Sequence, residues 1–189
     1  MFTKEIIMRT SRVLLAMAFL SSCSKSSSVL EDSFIQELAP YCGKSFHGKL
    51  VSSDPQDATF AAATITLTLE SCTADEVRMP LAVGENTSRT WVITDRETYL
   101  TLQHMHLHED GTEDKVSRYG GDSAVSKKAR RQEFPADDFS KNVFLKNSLE
   151  PSIDNVWAME LSEDNIFAYE LRRPDRFFRL EFDFSMPIE

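Results

Sequence analysis

Residues 166–184 read IFAYELRRPDRFFRLEFDF, and the alternation within them decides the fold class. Successive side chains of a β-strand point to opposite faces, so residues two apart share one face. Phe178, Leu180, Phe182 and Phe184 fall on one face, and Arg179, Glu181 and Asp183 on the other. Phe167, Tyr169 and Leu171 repeat the pattern one strand earlier. Pro174-Asp175 between the runs is a turn signal, and so short a gap means an antiparallel hairpin. An apolar face backed by a charged one describes a sheet with one side on a core and one in water.

The same period of two runs upstream. Candidate strands are 45–51, 62–70, 77–83, 90–94, 99–108, 115–119, 128–134, 155–161, 166–173 and 177–184. Turn signals separate them at Ser53-Asp54-Pro55, Gly84-Glu85-Asn86, Asp110-Gly111, Gly120-Gly121 and residues 162–165. About ten short strands in sequential order predict a mainly β fold, an antiparallel up-and-down meander closed into a calycin-like barrel. Closure removes the unpaired edges of an open sheet. A two-sheet β-sandwich uses the same elements and is the alternative. Two segments break the period. Ser28-x-x-Glu31 has the form of a capping box, and Leu30, Phe34 and Leu38, with Ile35 beside them, predict an N-terminal helix over 29–39 that Pro40 ends. Asp137 or Asp138 caps a short helix near 136–147 carrying Phe139, Val143 and Phe144.

The first 22 residues have the make-up of an export signal. Lys4, Arg9 and Arg12 form a basic stretch, diluted by Glu5, and residues 13–20 (VLLAMAFL) form an apolar core. That core is too short to span a bilayer, which takes about 20 apolar residues. Met8 is an alternative start with a tighter leader. Leu20-Ser21-Ser22-Cys23 closes the run and resembles the lipobox of bacterial lipoproteins, a leucine and two small residues before a cysteine. The resemblance implies that the Cys23 thiol takes a diacylglyceryl group, that the chain is cut before it, and that the new N-terminus is acylated, typically with palmitate. Ser24 is not the aspartate that retains such proteins in the inner membrane, so the resemblance implies the outer membrane, facing the periplasm. Two or more acyl chains anchor stably where one does not, and residues 24–28 (SKSSS) form a flexible tether. The expected organisation is a signal peptide over 1–22, an acylated cysteine and tether over 23–28, and a single β-rich domain over 29–189. A cleaved secretory peptide with an incidental Cys23, or a buried N-terminal helix, is the alternative.

Loss of residues 1–22 removes three basic residues and one acidic residue from the 21 and 30 of the whole chain, leaving 18 against 29 and a net charge of −11. Such a surface repels nucleic acid and anionic headgroups. With Cys23 assigned to lipid, Cys42 and Cys72 remain. In an oxidising periplasm a remaining pair most simply forms a disulfide, worth roughly 3–4 kcal/mol by loop closure. Two free buried thiols are the alternative.

The densest chemistry lies in Leu102-Gln103-His104-Met105-His106-Leu107-His108-Glu109-Asp110-Gly111. On a strand His104, His106 and His108 share a face, with neighbours roughly 7 Å apart. One His-x-His pair with a carboxylate such as Glu109, Asp110, Glu113 or Asp114, or with the distant His47, suits zinc, copper or nickel. A catalytic zinc site needs three protein ligands and an open position, and two are readable here. The bland reading is a polar strand end that turns wet after Leu100 and Leu102. Asp110-Gly111-Thr112-Glu113-Asp114 lacks the spacing of a calcium loop and reads as a hairpin turn. Residues 43–50 (GKSFHGKL) nearly match a phosphate-binding loop, but Leu50 stands where serine or threonine must hold magnesium. Lys127, Lys128, Arg130 and Arg131, and later Arg172, Arg173 and Arg176, read as solvated strand faces, with a small anion site as second choice.

The runs HLHEDGTEDKVSRYGGD, RRQEFPADDFS and NVWAMEL resemble segments of uncharacterised exported bacterial proteins. The resemblance implies export and brings no activity with it. The leading expectation is a non-enzymatic lipoprotein with a β-barrel domain, its partners the membrane through Cys23 and a small apolar ligand. Small barrels either fill with side chains or keep a cavity, and thirteen phenylalanines could fill this one. A periplasmic metal-binding protein using His104 and His106 is the alternative, and a metal-dependent hydrolase a weaker one.

Overall fold

The structure is a computed structural model that describes Met1 and residues 33–189. The leader, Cys23, the tether and the Ser28–Glu31 capping box lie outside the described residues. Eleven strands make one sheet: β1 (Ser45–Leu50), β2 (Ile65–Thr68), β3 (Ser71–Cys72), β4 (Glu76–Val83), β5 (Asn86–Asp95), β6 (Leu100–His106), β7 (Tyr119–Asp122), β8 (Arg131–Pro135), β9 (Val156–Leu161), β10 (Ile166–Arg173) and β11 (Arg176–Pro187). Their order is β7-β6-β5-β4-β2-β1-β11-β10-β9-β8, with the two-residue β3 paired to β4 beyond the end of β2. Every pairing is antiparallel. Apart from that short β3, each strand pairs with its neighbour in sequence except β7 and β8, the two ends of the order, and β11 returns to β1. The fold is therefore the expected meander, nearly closed into a barrel, and not two packed sheets.

The seam lies between β7 and β8. Ala124 donates its N–H to the Glu133 carbonyl at 3.0 Å, and Asp137 donates to Gly120 at 3.1 Å. Gly120-Gly121, expected as a turn, sits within β7 at this seam. A Cβ on Gly121 would stand 1.8 Å from the Pro135 carbonyl oxygen, and one on Gly120 1.8 Å from that of Leu102. The glycines thus serve close backbone approach, and the expected strand over 115–119 is displaced to Tyr119–Asp122. Helix α3 (Asp138–Lys146), within the 136–147 span expected for a short helix, lies against the seam. Asp137 caps it by accepting from the Ser140 N–H at 2.7 Å. The buried Ser140 hydroxyl accepts from Gly120 N–H and donates to Gly120 C=O, which gives that N–H its partner and the carbonyl a second one beside Asp137.

One end of the barrel is plugged. Helix α1 (Phe34–Leu38) buries Phe34, Ile35 and Leu38 there. Pro40 does not stop the helical path: a 3-10 helix continues over Ala39–Tyr41 with the proline near its start, where no N–H is needed. Below the plug, Phe46 stacks on Phe184 at 4.3 Å, and Phe184 on Phe167 at 4.9 Å. The Cys42–Cys72 disulfide, with Cα atoms 6.0 Å apart, ties this end to β3. At the other end, residues 55–62, of which only Ala62 was expected as strand, form a 3-10 turn (Pro55–Asp57) and helix α2 (Ala58–Ala62). Asp54 caps the turn by accepting from Gln56 N–H, and the alanines behind it favour helix over strand.

The outer face of β8–β11 carries an ion-pair lattice. Glu170, 7 % exposed, is bracketed by Arg131 and Arg179, while Glu133 pairs with Arg172 at 2.8 Å. Ala158 and Ala168, both buried on this face, let the long side chains lie flat across the strands. Arg131 and Arg172 are solvated strand-face residues, as read, but each is matched by carboxylates.

Candidate site at the open mouth of the barrel

Inward-facing residues of β5, β6, β7 and β10 meet at the unplugged end. The register pairs Arg89 with His106, Trp91 with His104, and His104 with Tyr119. These side chains share a face, so the period of two that builds the barrel also puts imidazoles, phenols and a guanidinium into its mouth. His104 is 3 % exposed: the strand does not turn wet after Leu102. Its Nδ1 lies 3.1 Å from the Tyr119 carbonyl oxygen, which only accepts, so Nδ1 carries the proton. Nε2 is then the acceptor, and the Tyr169 hydroxyl, 2.8 Å away, donates to it. Burial drives this imidazole from 6.5 down to about 3, against the pull of the Tyr119 carbonyl. Burial also raises the Tyr169 phenol and pushes that of Tyr119 up to about 12. The network is neutral near pH 7 and locked by stacking. Trp91 lies on Tyr169 at 4.0 Å, and His104 on Tyr119 at 4.7 Å.

His106 sits one step nearer the opening. Its Nε2 is 3.0 Å from the Tyr119 hydroxyl, and burial first, then the Arg89 charge, lowers its pKa. Around these groups is a cavity of about 160 Å³, walled on the apolar side by Phe60, Leu81, Trp91 and Phe178. A second hollow of about 380 Å³ adjoins it under the 3-10 helix Glu150–Asp154, sharing Phe60, Tyr119, Tyr169 and Arg176. Arg176 was read as a solvated strand residue. It is instead a half-buried wall of the mouth, paired with the 3 % exposed Asp57 and, at 3.3 Å, with Asp54. Arg173, read the same way, donates to Ser152 and Asn155, both at 3.1 Å.

The structure does not gather His104, His106, His108 and Glu109 into one site. β6 ends at His106, and Leu107 bridges to Glu113, so the shared strand face stops short of His108. His108 and Glu109 lie on the exposed hairpin, where His108 is 3.7 Å from Asp114. Both ring nitrogens of His104 are spent on Tyr119 and Tyr169. Among the described residues no three histidine, cysteine or carboxylate groups stand close enough to hold zinc or copper. The mouth offers aromatic faces, hydrogen-bonding groups and guanidinium charge. Sequence reasoning reached His104 and His106 but missed Arg89, Trp91, Tyr119 and Tyr169. The signal for them was the inward phase of their strands, which for Arg89 placed a charge on the core face. No protein-family model matches the chain, and no curated protein or solved structure matches it.

Proposed function

We propose that the protein is a lipid-anchored, non-enzymatic binding protein whose barrel holds one small, largely apolar ligand at its open mouth. The observation that carries this is the cavity itself, in which a few polar groups converge among aromatic walls at the mouth of a β-barrel, a common place for ligand sites. The remaining interior is filled with phenylalanine, leucine and tryptophan, which limits the ligand to the mouth. The neutral, mutually satisfied His104–Tyr169 pair supports a binding role over catalysis, because neither group keeps a free proton and the imidazole keeps no free basic nitrogen for a reacting atom. The lipobox resemblance at Cys23 supports an anchor in the outer membrane with the barrel facing the periplasm. Native mass spectrometry of the full chain, purified from its bacterial envelope, tests the binding reading. Retention of a small organic mass that Trp91→Ala reduces supports it, and a chain that never carries or captures such a mass overturns it. Labelled palmitate tests the anchor: it should enter the wild type and not Cys23→Ala.

A further inference from the structure

The geometry points to an anion subsite at Arg89: the mouth cavity takes a small monocarboxylate whose head sits on the Arg89 guanidinium and whose apolar body, about one aryl ring in size, lies among Phe60, Trp91 and Phe178. The inference rests on the binding reading above and names its ligand class. Arg89 projects inward from β5 opposite His106 and lines the cavity. Its Nη1 is buried and, among the described residues, has no hydrogen-bond partner. Buried polar atoms are nearly always partnered, so an orphaned guanidinium N–H beside a cavity marks the place of a missing acceptor. The other guanidinium groups of the mouth and the adjoining hollow have hydrogen-bond partners. Arg176 is held by Asp57 and Asp54, and Arg173 by Ser152 and Asn155. The open donor of a cationic group favours an anionic acceptor, and the planar guanidinium fork fits a carboxylate. The Arg89 guanidinium lies 5.9 Å from the Phe60 ring centroid, which sets it at the edge of the apolar wall. Size narrows the body: the cavity is about 160 Å³, and an apolar cavity of about 150 Å³ is enough for benzene.

Isothermal titration of the full chain, in a neutral detergent too bulky for the cavity, tests this with benzoate, benzyl alcohol and inorganic phosphate. Wild type should bind one benzoate per chain, roughly tenfold or more tighter than benzyl alcohol. In Arg89→Met the benzoate-to-benzyl-alcohol affinity ratio should fall roughly tenfold to a hundredfold, the worth of a charge-assisted contact. A thermal melt should find Arg89→Met at least as stable as wild type, since it removes an unpartnered buried group. Should that variant not fold, Arg89→Lys, which keeps the charge without the fork, must still lower the ratio. Equal affinity for benzoate and benzyl alcohol overturns the Arg89 assignment and leaves the binding reading standing. Phosphate binding as tight as benzoate also overturns it, as an anion hole without an apolar seat. Failure of both aryl probes overturns this inference and the binding reading together.

Discussion

Acid should weaken this fold before its carboxylates titrate, and His104 is the reason. The unfolded imidazole takes a proton near 6.5, while burial holds the folded one at about 3. Between those values the unfolded chain binds more protons, so stability falls as pH falls through the window. At about 1.36 kcal/mol per pH unit the full interval is worth about 5 kcal/mol. Most of the span from pH 7 to pH 5 lies inside it, where the loss from His104 alone is about 2 kcal/mol. Burial lowers His106 too, so it adds loss of the same sign. Carboxylates act in the same direction but lower down: Arg172 holds Glu133 at about 2, and its share is lost only below the ordinary value of 4.5. Urea unfolding at pH 7 and pH 5, on wild type and His104→Gln, isolates the term. Glutamine keeps a polar atom near Tyr169 and cannot titrate in this range. The variant should be less stable at pH 7 by about 1–3 kcal/mol through lost packing. Its further loss on going to pH 5 should be smaller than wild type's by about 2 kcal/mol. Equal pH dependence in the two proteins would refute the buried, neutral imidazole.

The seam and the ends of the barrel yield three more expectations. Gly121→Ala should cost at least about 3 kcal/mol in denaturant unfolding, the upper end of overpacking, because its Cβ meets backbone and not a movable side chain; a neutral substitution would mean the seam is open. Asp57→Asn should cost about 1–3 kcal/mol by leaving the half-buried Arg176 to Asp54, and Asp57→Asn/Arg176→Met should recover part of that loss in a double-mutant cycle. Cys42→Ala/Cys72→Ala should lower stability by roughly 3–4 kcal/mol, with non-reducing mass analysis of wild type showing no free thiol at either position.

The fold was legible because its information is local. Residues 166–184 declare two amphipathic strands and their turn, and the observed β10 and β11 keep that phase pair by pair, Tyr169 opposite Leu180 and Leu171 opposite Phe178. The misreadings occur where one residue type serves two purposes. Gly120-Gly121 resembles a turn by composition, yet tertiary approach of Pro135 demands glycine there. The strand expected from residue 62 begins only at Ile65, because the alanines of 61–63 suit the end of a helix as well as the start of a strand. The site was half legible. The His-x-His spacing drew attention to β6, but whether its face met water or core depended on Tyr119 and Tyr169, which lie 15 and 65 residues away in sequence. Arg89 was hidden for the same reason: a lone arginine on a strand reads as surface until the barrel closes around it.

The central claim is that this barrel binds a small ligand at its mouth and nowhere else. Backbone and indole NMR shifts during a benzoate titration measure that directly. Shifts confined to Arg89, Trp91, His106 and Tyr119, with Phe184 and Leu38 at the plugged end unmoved, are the predicted result. Absence of shifts at saturating benzoate, or shifts centred on the plugged end, would contradict it.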